Sequence, residues 1–305
     1  MTSDVMNNST SNRSFHPEFK YDHWMVFDYE HTFNYYEKRN FLKENLQIPV
    51  LVNALYIACV FGIRRIMRSR EPFRLKRLLV AWNFSLAVFS VIGSIRVIPF
   101  VLSFIQKNGF HDSCCVEPVV NGAYGLWVWL FILSKVPELG DSVFVVLRKQ
   151  KLIFLHWFHH SSVLLFVWIS NSDDFSIGGY FIAMNYFIHS LMYTYFTLKA
   201  LGHRMPRSCA MVITVSQLIQ MAIGLVVTLY AFNEKQNGRP CATSDLTINI
   251  SLCLYGMYFI LFINFFVKSY AQLFSLHKSS IYETLNSMKR KVMDYRNNNS
   301  KSKVH

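Results

Sequence analysis

The chain has 305 residues, of which 52% are hydrophobic and 16% aromatic, and its formal net charge is +13. Only 16% of the residues are charged, against roughly 25% in a typical soluble domain. That balance excludes a disordered chain and an ordinary soluble domain, and six cysteines in this length exclude a disulfide-dense secreted scaffold.

The composition is that of an all-α membrane protein. Residues 1–45 form a polar, aromatic N-terminal segment. It lacks the basic start and apolar core of a cleaved signal peptide, so none is expected. Seven stretches then reach the roughly 20 apolar residues that a spanning helix needs. They are 46–63, 78–104, 120–147, 153–170, 177–201, 209–232 and 246–267, and 268–305 forms a basic tail.

Charge sets the orientation of these spans. The loop from Arg64 to Arg77 holds seven Lys or Arg and one acid, Glu71. By the positive-inside rule that loop is cytosolic and the N-terminus lies across the membrane. Alternating from there, the cytosolic segments collect 21 Lys and Arg and the opposite side eight, with Arg96 and Lys135 left inside spans. The positive charge therefore reads as topology and lipid contact. No RNP, helix-turn-helix or zinc-finger spacing points to a nucleic acid.

Features on the far side agree with this orientation. Asn7, Asn8 and Asn12 each open an N-x-S/T triplet and are glycosylation candidates. Cys114, Cys115 and Cys241 fall on far-side loops. They stand either as three free thiols or with Cys241 bonded to one of the adjacent pair.

The ionisable groups left inside the spans carry the functional signal, because a charge at the bilayer centre must be paired or face a wet cavity. Lys135, Glu138 and Asp141 recur at i, i+3 and i+6 in the third span, placing them on one helix face next to Pro137. Gln150 precedes the fourth span, which opens with His156, His159 and His160 on one face. The fifth span adds Asn185 and His189, then Tyr193, and the sixth adds Thr214, Gln217 and Gln220. Four consecutive polar stripes in an apolar chain imply a shared interior site. Histidine serves there as nucleophile, proton carrier or metal ligand. A di-iron or zinc lipid-modifying enzyme using the H-x-x-H-H box is therefore the alternative reading. A second His box, which a di-iron site needs, is missing, so no metal is expected. Receptor signatures such as D/E-R-Y and N-P-x-x-Y are absent as well.

Four motifs stand in order: K-V-P-E-L-G-D-S from Lys135, Q-K-L-I-F-L-H-W-F-H-H from Gln150, N-Y-F-I-H-S-L-M-Y-T-Y-F from Asn185 and T-V-S-Q-L-I-Q from Thr214. The chain closely resembles the ELO family of very-long-chain fatty acid elongases, the 3-ketoacyl-CoA synthases of the endoplasmic reticulum, over about 45–275. The run from Ser134 to His160 looks most like the animal subgroup that extends saturated and monounsaturated acyl chains. Ser142, Phe158 and Phe196 depart from the Thr, Tyr and Tyr usual at those places.

The resemblance implies seven helices, six of them surrounding an acyl tunnel. It also implies condensation of acyl-CoA with malonyl-CoA to 3-ketoacyl-CoA, CO2 and CoA. An acyl-imidazole on His159 is the implied intermediate, oriented by His156, with His189, Asn185 and His160 as donors to the enolate. Lys135, Glu138, Asp141, Gln150, Tyr193, Gln217 and Gln220 support them. Arg148, Lys149, Lys151, Lys199, Arg204 and Arg207 are candidate CoA-binding cations. No tightly bound cofactor is expected. The expected partners are the lipid bilayer, the ketoacyl reductase, dehydratase and enoyl reductase of the elongation cycle, and a second copy of the chain. Lys301 and Lys303 match a K-x-K-x-x retrieval signal, in keeping with a cytosolic C-terminus in the endoplasmic reticulum membrane.

Overall fold

A computed structural model describes Tyr21 and residues 26–118 and 120–270, and the chain there is helical almost throughout. The glycosylation candidates Asn7, Asn8 and Asn12 and the retrieval lysines Lys301 and Lys303 lie outside the described residues. Two compact units are distinguished, Met1–Phe259 and Ile260–His305. The elements that build the site belong to the first, and residues 260–270 of the second are helical.

Two short helices precede the first apolar one: α1 (Asp28–His31) and α2 (Tyr35–Glu44). Asn34 starts α2 by accepting a hydrogen bond from the Tyr36 N–H at 3.1 Å, satisfying a donor that every helix start leaves open. Helix α3 (Gln47–Ile66) follows and runs into a 3-10 turn at Met67–Ser69. Helix α4 (Lys76–Cys115) is interrupted at Gly109, whose φ of 81° only glycine adopts readily. That break lies just past residue 104, where the apolar pattern ends.

The single span expected over 120–147 is two helices, α5 (Gly122–Glu138) and α6 (Gly140–Leu147), meeting at Leu139. Pro137 lacks a backbone N–H and its ring crowds the preceding turn, which interrupts the ladder here. Gly140 is needed at the junction, since a Cβ there would sit 2.7 Å from the Trp82 ring. Helix α7 (Phe154–Asn171), α8 (Gly178–Leu201), α9 (Arg207–Gln236) and α10 (Asp245–Tyr270) complete the described chain.

Among the described residues, four stretches are long and apolar enough to cross a membrane: Gln47–Ser69, Lys76–Cys115, Arg207–Gln236 and Asp245–Tyr270. The remaining helices fall short for identifiable reasons. Helices α5 and α6 hold 17 and eight residues, each too short alone, while α7 and α8 carry the His and Asn stripes.

Helix α8 packs along α4 more extensively than along any other element. Gly93 of α4 makes room for the Tyr186 ring, which buries fully and donates to the Trp127 carbonyl at 2.9 Å.

One end of the first unit is cross-tied. Glu30, 1% exposed, accepts from Arg96 Nη2 at 2.9 Å and from Trp127 Nε1 at 3.0 Å. Arg39 meets Glu117 at 3.0 Å and Asp174 at 3.2 Å and also donates to the Asp173 carbonyl. Burial opposes the Arg39 charge, but the Glu117 carboxylate beside it outweighs this and raises its pKa above the ordinary value. Of the three candidate cysteines, Cys115 and Cys241 are joined in a disulfide and Cys114 is a buried free thiol. An antiparallel bridge from Phe175 to Thr243 lies at the same end.

Candidate active site

The last turn of α5 places Lys135 and Glu138 inward, both buried. Lys135 Nζ lies 2.7 Å from Glu138 Oε1, which also accepts from Ser134 Oγ at 2.9 Å. The same ammonium donates to Asn185 Oδ1 at 3.0 Å and sits 4.1 Å from the centre of the Phe131 ring. One helical turn along α8, His189 Nε2 is 3.2 Å from Asn185 Nδ2, and its Nδ1 is 3.8 Å from Glu138 Oε2. Lys135, Glu138, His189 and Asn185 thus close a ring of polar contacts between α5 and α8. A buried ion pair needs such additional partners to offset its lost hydration.

Asp141, the third residue of the expected face, has partners of its own. It lies in the first turn of α6, and its carboxylate accepts from Trp82 Nε1 and from the Tyr193 hydroxyl, each at 2.7 Å. His160 Nε2 approaches it at 3.9 Å. Beside it, the Tyr56 hydroxyl and Ser142 Oγ are 2.7 Å apart, anchoring α3 to α6.

Helix α7 opens after Ile153 with the three histidines. The His156 ring packs on His160 with centroids 4.7 Å apart, so the direct neighbour of His156 is His160. His159 meets the edge of the Tyr258 ring at 4.9 Å and His160 at 5.8 Å. The Tyr258 hydroxyl is held 2.7 Å from Ser162 Oγ, one turn along the same helix as His159.

His159 faces a cavity with about 460 Å³ of atom-free space. Asn185 and Gln220 share its polar end, and Gln220 also bonds to the Tyr255 hydroxyl. Phe131, Val163, Phe166, Val167, Phe181 and Ile182 line its apolar length. Gln217 stays at the rim of this network, with Nε2 3.8 Å from Met192 Sδ. Gln150 is not brought to the site. It follows Lys149, whose φ is 52°, is exposed, and donates to the Arg148 carbonyl at 3.2 Å.

The candidate CoA cations lie on connections between helices. Lys149 donates to the Arg68 and Arg70 carbonyls at 3.3 and 3.0 Å, tying the loop after α6 to the basic loop after α3. Lys199 lies 5.7 Å from the Tyr195 ring centre, and Lys151, Arg204 and Arg207 are exposed while Arg148 is half-buried.

Trp82, Tyr258, Ser134 and Tyr56 were not among the sequence candidates. Their signal is faint: each is a polar-tipped side chain in an apolar helix, and a buried indole or phenol usually has a partner. Among the described residues, no three His, Cys, Asp or Glu side chains are grouped as a metal site requires.

A model of the ELO (GNS1/SUR4) family matches residues 41–278. The chain belongs to that family. It is similar to very long chain fatty acid elongase 6 of Gallus gallus, 42% identical over 245 residues, covering 80% of this chain and 92% of the relative. The Drosophila melanogaster protein of the same name is 40% identical over 258 residues, covering 83% and 80%. Very long chain fatty acid elongase 3 of Mus musculus is 38% identical over 252 residues, covering 82% and 92%. With four strongly apolar helices and this family membership, the chain is a multi-pass membrane protein.

Proposed function

We propose that the protein is a fatty acid elongase of the endoplasmic reticulum membrane that condenses a saturated or monounsaturated acyl-CoA with malonyl-CoA. The observation that carries this reading is the position of His159, between a cavity walled by Phe, Val and Ile side chains and the Asn185–His189–Glu138 network.

In the proposed reaction an imidazole nitrogen of His159 attacks the acyl-CoA thioester carbonyl. The C–S bond breaks, CoA leaves as the thiol, and an acyl-imidazole remains; splitting one hard substitution into two lowers each barrier. Malonyl-CoA then loses CO2, and the electron pair of the broken C–C bond forms the acetyl-CoA enolate. The enolate carbon attacks the acyl-imidazole carbonyl and the C–N bond breaks, giving 3-ketoacyl-CoA and freeing His159, whose ring nitrogen takes a proton from solvent to restore the neutral imidazole. Asn185 and His189 supply hydrogen bonds where the enolate charge develops, with Lys135 fixing Asn185. Glu138 orients His189, and Asp141 orients His160. Walls of Phe, Val and Ile exclude water from the intermediate.

Seven spans with a lumenal N-terminus fit this reading, α5 and α6 together forming the third. The CoA moiety then lies at the cytosolic end, near Lys149, Lys151, Lys199, Arg204 and Arg207, where cations suit its phosphates.

The test is direct. Purified protein given palmitoyl-CoA and malonyl-CoA releases CO2 and forms the two-carbon-longer ketoacyl product. His159→Ala abolishes both, while Arg204→Ala raises the KM for acyl-CoA. Near-normal condensation by the His159→Ala protein overturns the nucleophile assignment.

A further inference from the structure

The lining of the cavity that holds His159 runs along α7. His159, Val163, Val167 and Asn171 of α7 all line it, a spacing of four that keeps them on one helix face. Twelve residues at about 1.5 Å rise put Asn171 roughly 18 Å from His159 along the helix axis. An extended hydrocarbon advances about 1.25 Å per carbon, from bonds near 1.5 Å at tetrahedral angles, so this length holds roughly 14 carbons beyond the carbonyl.

At Asn171 a polar side chain enters the lining. A second cavity begins there, with about 340 Å³ of atom-free space, sharing Asn171, Phe175 and Ile182 with the first. The boundary is a hydrogen bond: the Tyr35 hydroxyl donates to Asn171 Oδ1 at 3.2 Å. Both groups are buried and tied on their other sides. Asn171 Nδ2 donates to the Val167 carbonyl at 2.8 Å, and the Tyr35 N–H donates to Asn121 Oδ1 at 3.0 Å. Burial raises the pKa of the Tyr35 phenol, keeping it a donor. Beyond it lie Arg39 and Glu117, a poor environment for a methyl terminus.

We propose that the Tyr35–Asn171 pair is the end stop of the acyl cavity and limits the acyl chain to about 15 carbons, so that α2 is a specificity determinant. A longer tail must part the pair and strand two buried polar groups without replacement. Tyr35 lies ahead of residue 41, where the family match begins, while Asn171 lies within it, so one half of this stop comes from outside the family-matched stretch. The inference rests on the elongase reading.

The experiment measures condensation of lauroyl-, myristoyl-, palmitoyl-, stearoyl- and arachidoyl-CoA with malonyl-CoA by the full-length protein and three variants. Tyr35→Phe removes only the hydroxyl, and Tyr35→Ala joins the two cavities. Both raise the arachidoyl-to-palmitoyl rate ratio, the Ala variant by about tenfold, the equivalent of one net hydrogen bond. Val167→Phe moves the wall toward His159 and shifts the optimum to lauroyl-CoA. Retention of the Cys115–Cys241 disulfide on non-reducing mass analysis checks the fold of each variant. An unchanged ratio in both Tyr35 variants, with Val167→Phe shifting the optimum, overturns the stop while leaving the acyl cavity intact. No shift in any variant overturns the cavity as the acyl site. Failure of the unaltered protein to consume malonyl-CoA with every acyl-CoA overturns the elongase reading itself, and the stop with it.

Discussion

The Tyr193 hydroxyl donates to Asp141 Oδ2 at 2.7 Å, joining α8 to α6 beside His160. With Trp82 Nε1 on the other carboxylate oxygen at 2.7 Å, Asp141 is held from two helices, 3.9 Å from His160 Nε2. A hydrogen bond to a charged group contributes about 1.5–3 kcal/mol. Trp82→Phe and Tyr193→Phe should therefore each lower kcat by roughly ten- to a hundredfold, with KM for acyl-CoA little altered. Malonyl-CoA-dependent CO2 release reads both constants; unchanged kcat in both variants removes Asp141 from the orientation of His160.

The Lys135–Glu138 pair makes a separate prediction. Removing one member of a buried pair leaves an uncompensated charge and costs about 3–5 kcal/mol, whereas replacing both with apolar groups is often near neutral. Lys135→Met alone should lower the thermal midpoint in detergent sharply, and Lys135→Met with Glu138→Leu should restore most of it. Neither protein should regain condensation, since the contacts to Asn185 and His189 are lost in both. A doubly substituted protein that is both stable and fully active would show the pair to be scaffold alone.

Within each helix the sequence pattern was informative, because spacing of three and four reports a face without any knowledge of neighbours. His156, His159 and His160 on α7 and the Asn185–His189 pair on α8 were legible in that way. Contacts between helices were not. Trp82 of α4 reaches Asp141 and Tyr258 of α10 reaches His159 through relative rotations that no single stripe encodes. The i, i+3, i+6 spacing named Lys135, Glu138 and Asp141 together but not their separate partners, since Asp141 starts α6 and is held by Trp82 and Tyr193 while Lys135 and Glu138 end α5. Helices α1 and α2 were hidden because a polar, aromatic segment shows no apolar period until its partners, such as Arg96 for Glu30, are known.

The disulfide gives a third prediction. Cys115 and Cys241 enclose a stretch with a sequence separation of 126, and removing a native cross-link typically costs about 2–5 kcal/mol. Cys115→Ser and Cys241→Ser should each lower the thermal midpoint by the same amount, and the double substitution should add little more. Cys114→Ser should leave the cross-link and the midpoint nearly unchanged, because Cys114 is free. Thiol labelling before and after reduction, read by peptide mass, decides the pairing; a Cys114–Cys241 peptide would overturn it.

The buried Glu30 carboxylate provides the last prediction. It takes hydrogen bonds from Arg96 at 2.9 Å, Trp127 at 3.0 Å and the Phe27 N–H at 3.0 Å, so α1 is held to α4 and α5 by one acid. Arg96→Met removes the only cation on that carboxylate among the described residues, leaving a buried charge served by two neutral donors. The expected loss is about 3–5 kcal/mol. Glu30→Gln in the same protein removes the orphaned charge and should recover roughly half of that loss. The site residues on α7 and α8 do not contact Glu30, so turnover per folded molecule should stay near that of the unaltered protein in both variants. Thermal unfolding in detergent, measured beside palmitoyl-CoA condensation, separates the two quantities. Equal midpoints in the Arg96→Met and unaltered proteins would mean that the Arg96–Glu30 contact contributes nothing to stability and that α1 is held by packing alone.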